Sequence, residues 1–286
     1  MNINKVAPDK HKYLQITSVI DKPPLTLYYY GTLPEARVPT VAIVGTRKPT
    51  AYGKEVTHRL AYDLAQQGII IVSGLALGVD GLAHQAALEA GGTTLAVLPC
   101  GLPKIYPARH RDLAANIVAK GGALITEYTS DEEFSYQSNF LERNRIVAGL
   151  ADAVLITEAA ARSGTLNTAA HALAQGKEVF VVPGNITSPM SSGCNALIKQ
   201  GAHVALSADD IIQVIAPELL RQQSTLPLGS TPAEIAILQQ LKDGVRDGDE
   251  IQRNTGLSAV EITTALTMLE LSGAIRGLGA NQWTLR

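Results

Sequence analysis

The sequence has few cysteines, no long apolar run and little net charge, and each of these features excludes a class of protein. Its two cysteines, Cys100 and Cys194, are too few for a secreted disulfide scaffold and fit a reducing cytosol, so we expect a cytoplasmic protein. No apolar run approaches the ~18–20 residues of a membrane span, and the first residues lack the apolar region of a signal peptide. A net charge of −2 excludes a globally basic nucleic-acid coat but not a local basic patch.

Apolar residues are abundant: 46% of the 286 residues are hydrophobic, which suits a sizeable core in about two domains. Six short apolar runs alternate with helix-length stretches rich in alanine and leucine. Because the runs are apolar throughout, they predict strands buried on both faces of a parallel sheet, in an open, doubly wound α/β domain. The predicted strands are residues 41–44, 69–72, 93–98, 123–126, 153–157 and 179–182, and the predicted helices are 52–67, 80–90, 108–120, 140–150 and 165–175.

The pattern changes after residues 222–230, whose proline, glycine and serine content predicts a linker. Thr231 with Glu234, and Ser258 with Glu261, have the spacing of helix capping boxes. These starts, a longer helix ending before Gly273 and a terminal hairpin turning at residues 277–279 predict a small winged-helix module over 231–286. The core domain is then 40–221, and residues 1–39 form an N-terminal extension that packs on it.

Glycine and small polar residues follow five of the six predicted strands. Ligands of open α/β sheets bind beyond the carboxyl ends of the strands, where such loops let backbone amides approach an anion. We therefore predict an anion-binding crevice, with simple tight turns as the alternative. The loops match neither G-x-G-x-x-G nor G-x-x-x-x-G-K-[ST], which disfavours a dinucleotide dehydrogenase or a P-loop NTPase. The candidate loop residues are Gly45, Thr46, Arg47, Ser73, Gly74, Ser163, Gly164 and Thr165.

An aromatic, a cation and an amide share one face of a predicted helix. Phe140, Arg143 and Asn144 have the spacing i, i+3, i+4. Together these side chains suit single-stranded nucleic acid, through base stacking, phosphate pairing and a base-edge hydrogen bond. The same spacing also allows a core Phe140 with Arg143 paired to a nearby glutamate, and the sequence does not decide between the two.

Asp80 and His84 lie four residues apart and could form a dyad, but a structural role is favoured, with Asp80 near a helix start and His84 packed beneath the loop. The other histidines form no pair with ligand spacing and there is no C-x-x-C sequence, so we expect no metal site.

Motifs across residues 24–212 resemble the bacterial DNA-processing protein A family, DprA/Smf. In chain order they are VAIVGTR from Val41, SGLALGVDGLAH from Ser73, Tyr106-Pro107, Thr126-Glu127, FLERNRI from Phe140, RSGTLNT from Arg162 and PGN from Pro183. The resemblance implies an extended Rossmann-like core that binds single-stranded DNA without a cofactor or a catalytic residue. It further implies a dimer that acts in natural transformation, protecting incoming strands and helping to load a RecA-type recombinase on them.

The resemblance also implies roles for particular residues. Arg47 would hold phosphate and Phe140, Arg143 and Asn144 would line the path of the strand. Ser163, Gly164 and Thr165 would add contacts, and Gly45, Thr46, Ser73, Gly74 and Arg145 complete the candidate DNA site. Two departures stand out: many relatives carry a helical domain before the core, where this sequence has about forty residues, and Leu77 stands where many relatives have arginine.

Two other functions compete with DNA binding. A nucleoside-monophosphate phosphoribohydrolase of the lysine decarboxylase-like kind resembles P-G-G-x-G-T-x-x-E, but Thr168 stands at the glutamate position here. A hydroxyl cannot replace that carboxylate as a base, so hydrolysis is disfavoured. A protein adaptor with a vestigial crevice is the third possibility, and the retained Arg47 and Arg143 argue against it.

Overall fold

The computed structural model describes residues 2–129, 136–223 and 231–285. Backbone contacts divide the chain into two compact units, Met1–Pro217 and Glu218–Arg286. The predicted linker at 222–230 lies mostly outside the described residues, and its first two residues belong to a short helix, Pro217–Gln223.

The larger unit is built on a nine-stranded sheet with helices packed against it. Its strands are β1 Asn4–Val6, β2 Leu27–Gly31, β3 Thr40–Val44, β4 Ile70–Ser73, β5 Thr94–Val97, β6 Ala123–Thr126, β7 Ala153–Ile156, β8 Glu178–Val181 and β9 His203–Val204. Its helices are α1 Ala51–Gln66, α2 Val79–Glu89, α3 Arg111–Ala119, α4 Tyr136–Leu150, α5 Thr165–Ala174, α6 Ser192–Lys199 and α7 Ala208–Ile215.

The strand order is β1-β2-β6-β5-β4-β3-β7-β8-β9, and the strands from β3 to β9 pair in parallel. This confirms the predicted mostly parallel α/β sheet, and each predicted strand and helix of the core has a counterpart, most of them with shifted ends. The chain runs outward from β3 to β6 and then returns to β7 on the other side of β3. The loops after β3 and β7 therefore part at a topological switch point, where open sheets form ligand crevices.

The N-terminal extension does more than pack on the core, because β2 pairs antiparallel with β6 and β1 pairs antiparallel with β2. Tyr13 is fully buried, and its hydroxyl bonds the Thr40 hydroxyl at 2.9 Å. Burial raises the pKa of Tyr13 to about 12. Arg37 bonds the Asp152 carboxylate at 2.6 Å, while the other oxygen of Asp152 accepts the Thr40 amide. The extension is thus bonded to the start of β3 and to the residue before β7.

The smaller unit has the predicted winged-helix elements: α9 Pro232–Lys242, α10 Gly248–Thr255, α11 Ala259–Leu271, β10 Ile275–Gly279 and β11 Gln282–Leu285, with α8 the helix Pro217–Gln223. Ser258 and Glu261 form the capping box at α11, and the Thr231 side chain accepts the Glu234 amide at α9. The hairpin turn at 277–279 was predicted wrongly, because those residues lie in β10 and the chain reverses at Ala280 and Asn281. Both have positive φ, which asparagine tolerates well and glycine was expected to supply.

Candidate nucleic-acid interface

A crevice of about 630 Å³ opens at the switch point, between the loops after β3 and β4, the middle of α4 and the start of α5. Eight of the twelve predicted site residues line it: Gly45, Arg47, Phe140, Arg143, Asn144, Ser163, Gly164 and Thr165. The other lining residues are Val44, Ala76, Asp80, Leu141 and Thr168. The glycine loops thus predicted the crevice, while these five lining residues lay outside the predicted set.

Arg47 and Phe140 are in direct contact at the mouth of the crevice. The Arg47 guanidinium lies over the Phe140 ring, with 4.8 Å between its central carbon and the ring centroid. Tyr106 meets the same ring edge-on at 5.4 Å between centroids. Arg47 is exposed and Phe140 is half-buried, so the crevice presents a charge and an aromatic surface side by side. The interpretation of Phe140 as a fully buried core residue does not hold.

The loop after β3 is fixed by hydrogen bonds of its backbone and of its side chains, among which the Thr46 hydroxyl accepts the Lys48 amide at 3.2 Å. The Thr46 amide donates to the Glu158 carbonyl at 2.8 Å, and the Thr46 carbonyl accepts the Val79 amide at 3.1 Å. Gly78 has a φ of +85° and lies against the carbonyls of this loop, where a Cβ would clash with backbone atoms. Of the Gly-Thr-Arg motif, Gly45 and Arg47 line the crevice and Thr46 does not.

Arg143 lies at the floor of the crevice, with only 3% of its surface exposed. Its guanidinium donates to the Gly74 carbonyl at 2.6 Å and to the Val97 carbonyl. Gly74 directly follows β4, and Val97 is the last residue of β5. Burial lowers the pKa of Arg143 to about 10, and the nearby Asp80 carboxylate opposes that shift. Neither direct phosphate pairing nor a glutamate partner describes this geometry. Arg143 instead fixes the carboxyl ends of two strands beneath the crevice.

Asp80 holds the loop after β4 from the other side. Its carboxylate accepts the amides of Gly74, at 3.1 Å, and Ala76, at 3.3 Å. Burial raises the pKa of Asp80, an effect that Arg143 and these amides oppose. Gly74 is pressed against Arg143, where a Cβ would overlap the guanidinium.

His84 has a structural environment of its own. Its Nδ1 lies 2.6 Å from the Thr94 hydroxyl, which donates to the Ile71 carbonyl, so Nδ1 carries the proton and donates. Complete burial lowers the pKa of His84 to about 3. Asp80 and His84 therefore have separate partners, as the structural interpretation expected.

Three further predicted residues lie away from the crevice lining. Ser73 is fully buried and donates its hydroxyl to the Ile43 carbonyl at 2.6 Å, while Gly74 lies behind Arg143. Arg145 is 9% exposed and forms an ion pair with Glu127. It lines a separate cavity of about 240 Å³ together with Asp21 and His171. The structure thus gives Arg145 a structural partner and does not bring it to the predicted DNA path.

The start of α5 closes the crevice opposite Arg47. The Ser163 hydroxyl accepts the Thr165 amide at 3.2 Å, and the Thr165 hydroxyl donates to the Gly45 carbonyl at 2.9 Å. Gly164 is exposed and has open space where a Cβ would lie. The helix N-terminus and the exposed Gly164 leave room for an anion beside Arg47. Thr168 is buried one turn further along α5.

In the described residues, 2–129, 136–223 and 231–285, no group of three His, Cys, Asp or Glu side chains could hold a metal ion. None of the helices in the same residues combines the length and apolar character needed to cross a membrane.

Comparison with family models and comparison with individual proteins identify the same family. Models of the DNA recombination-mediator protein A family and of the DprA winged helix domain match residues 4–216 and 221–281. Protein Smf of Escherichia coli K12 is 38% identical over 278 residues, covering 92% of this chain and 72% of its own. The putative DNA processing protein DprA of Mycobacterium tuberculosis H37Rv is 40% identical over 259 residues, covering 87% of this chain and 66% of its own.

Solved structures agree with the sequence comparisons. DNA processing protein A of Streptococcus pneumoniae is 34% identical, with a TM-score of 0.69 and 75% of each chain covered. That of Helicobacter pylori, from a study of its single-stranded DNA binding mode, is 33% identical, with a TM-score of 0.65 and coverage of 76% of this chain and 97% of its own. The chain belongs to the DNA recombination-mediator protein A family, DprA/Smf, and carries that family's winged-helix domain.

Proposed function

We propose that this protein binds single-stranded DNA in the crevice at the switch point and mediates recombination without catalysing a reaction. The observation that carries the proposal is the Arg47 guanidinium over the Phe140 ring at the open mouth of the crevice. This pair provides a cation that can bind a phosphate and an aromatic or guanidinium plane on which a base can stack. Single-strand binders use this combination. The family and the DNA binding described for the Helicobacter pylori relative support it.

The strand's phosphates pair with Arg47 and with the N-terminus of α5, and its bases stack at Phe140, with Asn144 as a hydrogen-bonding side chain. Arg143 contributes from below by holding the carboxyl ends of β4 and β5. In the cell we propose a cytoplasmic homodimer that protects incoming strands during natural transformation and helps to load a RecA-type recombinase on them.

Thr168 supports a role without catalysis. It lines the crevice at the position where phosphoribohydrolases of similar fold use a glutamate, and its hydroxyl cannot act as a base at neutral pH. We expect no turnover of AMP or other nucleotides. Product formation above that of a Thr168→Ala control would contradict this expectation.

A titration of oligo-dT and of a matching duplex at several salt concentrations tests the main proposal. We expect a preference for the single strand and a negative slope of log K against log salt, of about 0.7 per phosphate neutralised. Arg47→Ala should weaken binding by ~1.5–3 kcal/mol and make the slope shallower by about one phosphate, because it removes one charge-assisted contact.

Arg111→Ala is the matched control, since Arg111 is an exposed arginine at the start of α3, outside the crevice lining. It should leave the affinity and the slope close to those of the wild type. Equal binding of single strand and duplex, or a folded Arg47→Ala variant with wild-type affinity, would refute the proposal.

A further inference from the structure

A second cavity, of about 460 Å³, lies beyond the carboxyl ends of β7 and β8. It shares no lining residue with the crevice. Its volume is within the range of small-molecule sites, and it lies on the same edge of the sheet, on the other side of the switch point. The lining includes Thr50, Tyr52, Glu158, Pro183, Asn185 and Ser188.

The chemistry of this cavity differs from that of the crevice. Among the residues that the structure describes, no lysine, arginine or histidine lines it, and its acidic residue, Glu158, is 2% exposed. The Glu158 carboxylate accepts the Thr50 hydroxyl at 2.7 Å and the Thr50 amide at 2.8 Å. The remaining polar groups are neutral hydroxyls and an amide. Such a site cannot neutralise a phosphate, but it can hydrogen-bond an uncharged heterocycle.

Tyr52 forms a rigid aromatic wall of the cavity. Its hydroxyl donates to the Pro183 carbonyl at 2.8 Å, which fixes the ring between the first turn of α1 and the loop after β8. The side chain nevertheless remains 45% exposed. Because the hydroxyl holds the ring in place and the side chain is partly exposed, a ligand can stack on the ring without an entropic cost of ordering the side chain. Nucleobases are flat partners for such a plane, and they stack with little dependence on sequence.

The loop after β3 connects the cavity to the crevice. Arg47 lines the crevice and Thr50 lines the cavity, and three residues of chain span at most ~11 Å. An oligonucleotide whose phosphate is held at Arg47 can therefore extend over this loop to the cavity.

We propose that the cavity is a nucleobase subsite for the bound single strand, in which a base stacks on Tyr52 while the neighbouring phosphates occupy the crevice. The inference rests on the proposed function and deepens it, because it adds a base-holding position to the phosphate-holding one. It predicts that the DNA site is longer than the crevice and continues towards β8.

The test uses the full chain and a set of dT 12-mers, each carrying one 2-aminopurine at a different position. Stacking on Tyr52 quenches 2-aminopurine fluorescence at particular positions. Tyr52→Leu should remove that quenching and lower the affinity for the 12-mer about tenfold, whereas Tyr52→Phe, which keeps the ring, should retain most of both. Binding of dT3, short enough for the crevice alone, should change less than twofold in Tyr52→Leu.

Tyr62→Leu is the matched control, because Tyr62 lies on the same helix and does not line the cavity. Ser188→Leu, which adds bulk to the cavity and leaves Tyr52 in place, should reproduce the loss and covers the case in which Tyr52→Leu does not fold. If the 12-mer binds and Arg47→Ala weakens it, but Tyr52→Leu and Ser188→Leu behave like Tyr62→Leu, the subsite is refuted and the crevice stands. If the wild-type protein does not bind the 12-mer, the proposed function itself fails.

Discussion

Replacing Arg143 by methionine removes the guanidinium that donates to the carbonyls of Gly74 and Val97. Hydrogen bonds to a charged group contribute about 1.5–3 kcal/mol each, so their loss costs about 3–6 kcal/mol. The change also relieves an unfavourable burial, because the pKa of Arg143 falls from 12.5 to about 10 in the folded protein. At 1.36 kcal/mol per pKa unit, the buried charge costs about 3 kcal/mol.

The lost hydrogen bonds equal or exceed the relieved cost, so we expect Arg143→Met to lower the free energy of unfolding by up to about 3 kcal/mol. Asp80 adds to the loss, since its buried carboxylate then lacks a neighbouring cation. Urea unfolding monitored by circular dichroism measures the change. Arg47→Met is the matched control: Arg47 is exposed, and loss of its cation–π contact with Phe140 should lower stability by at most about 1 kcal/mol.

The same pair of variants separates positioning from phosphate contact. Arg143→Met should weaken binding of oligo-dT with little change in the slope of log K against log salt, because the loop is displaced while the exposed charge at Arg47 remains. Arg47→Met should make that slope shallower by about 0.7. An Arg143→Met protein as stable as the wild type, with the salt slope of Arg47→Met, would refute the assignment of Arg143 as a residue that fixes the crevice floor.

Three further predictions concern other parts of the molecule. Phe140→Ala should weaken oligo-dT binding by ~1–3 kcal/mol and lower stability by less than the ~3–5 kcal/mol that loss of a core phenylalanine costs. Titration with oligo-dT measures the first effect and urea unfolding the second. A stability loss of the core size would place the ring in the core. His84 has a pKa of about 3 when folded and 6.5 ordinarily, so its contribution to stability is complete above pH 6.5 and is lost as the pH falls. Between pH 7 and pH 5 this removes about 2 kcal/mol, and His84→Asn should flatten the pH dependence of urea unfolding by that amount; parallel curves would contradict it. Deleting residues 226–286 should leave oligo-dT affinity within about threefold, because all crevice residues lie upstream; a larger loss would show that the winged-helix module contributes to the DNA site.

The central strands could be predicted because burial on both faces makes them apolar throughout. Residues 123–126 were predicted with the bounds that β6 has. The short edge strands β1 and β9 were missed because they have three and two residues and largely exposed side chains. Strand β2 was missed because only Leu27 is buried and its other residues are partly exposed, so it lacks the continuous apolar run that marks the central strands.

The crevice could be predicted from its glycine loops, but the depth of each side chain could not. The spacing of Phe140, Arg143 and Asn144 correctly placed them on one face of α4, and all three line the crevice. The depth at which the Arg143 side chain is buried depends on where β4 and β5 end beneath it. The position of Arg145 away from the crevice could have been predicted from the sequence. Residues two positions apart in a helix differ by about 200° around its axis, so Arg143 and Arg145 cannot face the same crevice.

The winged-helix module presents a surface unlike that of a duplex reader. Helix α11 contains no lysine or arginine, and its acidic residues are Glu261 and Glu270. Val260, Met268 and Leu271 are 76%, 53% and 78% exposed and follow a helical spacing of i, i+8, i+11. Duplex binding needs cations for the phosphates, and α11 offers none along this stripe, where its exposed polar side chains are the neutral Thr264 and Thr267. An exposed apolar stripe on an uncharged face is typical of a protein-binding surface, and it favours a protein partner for the module over duplex DNA.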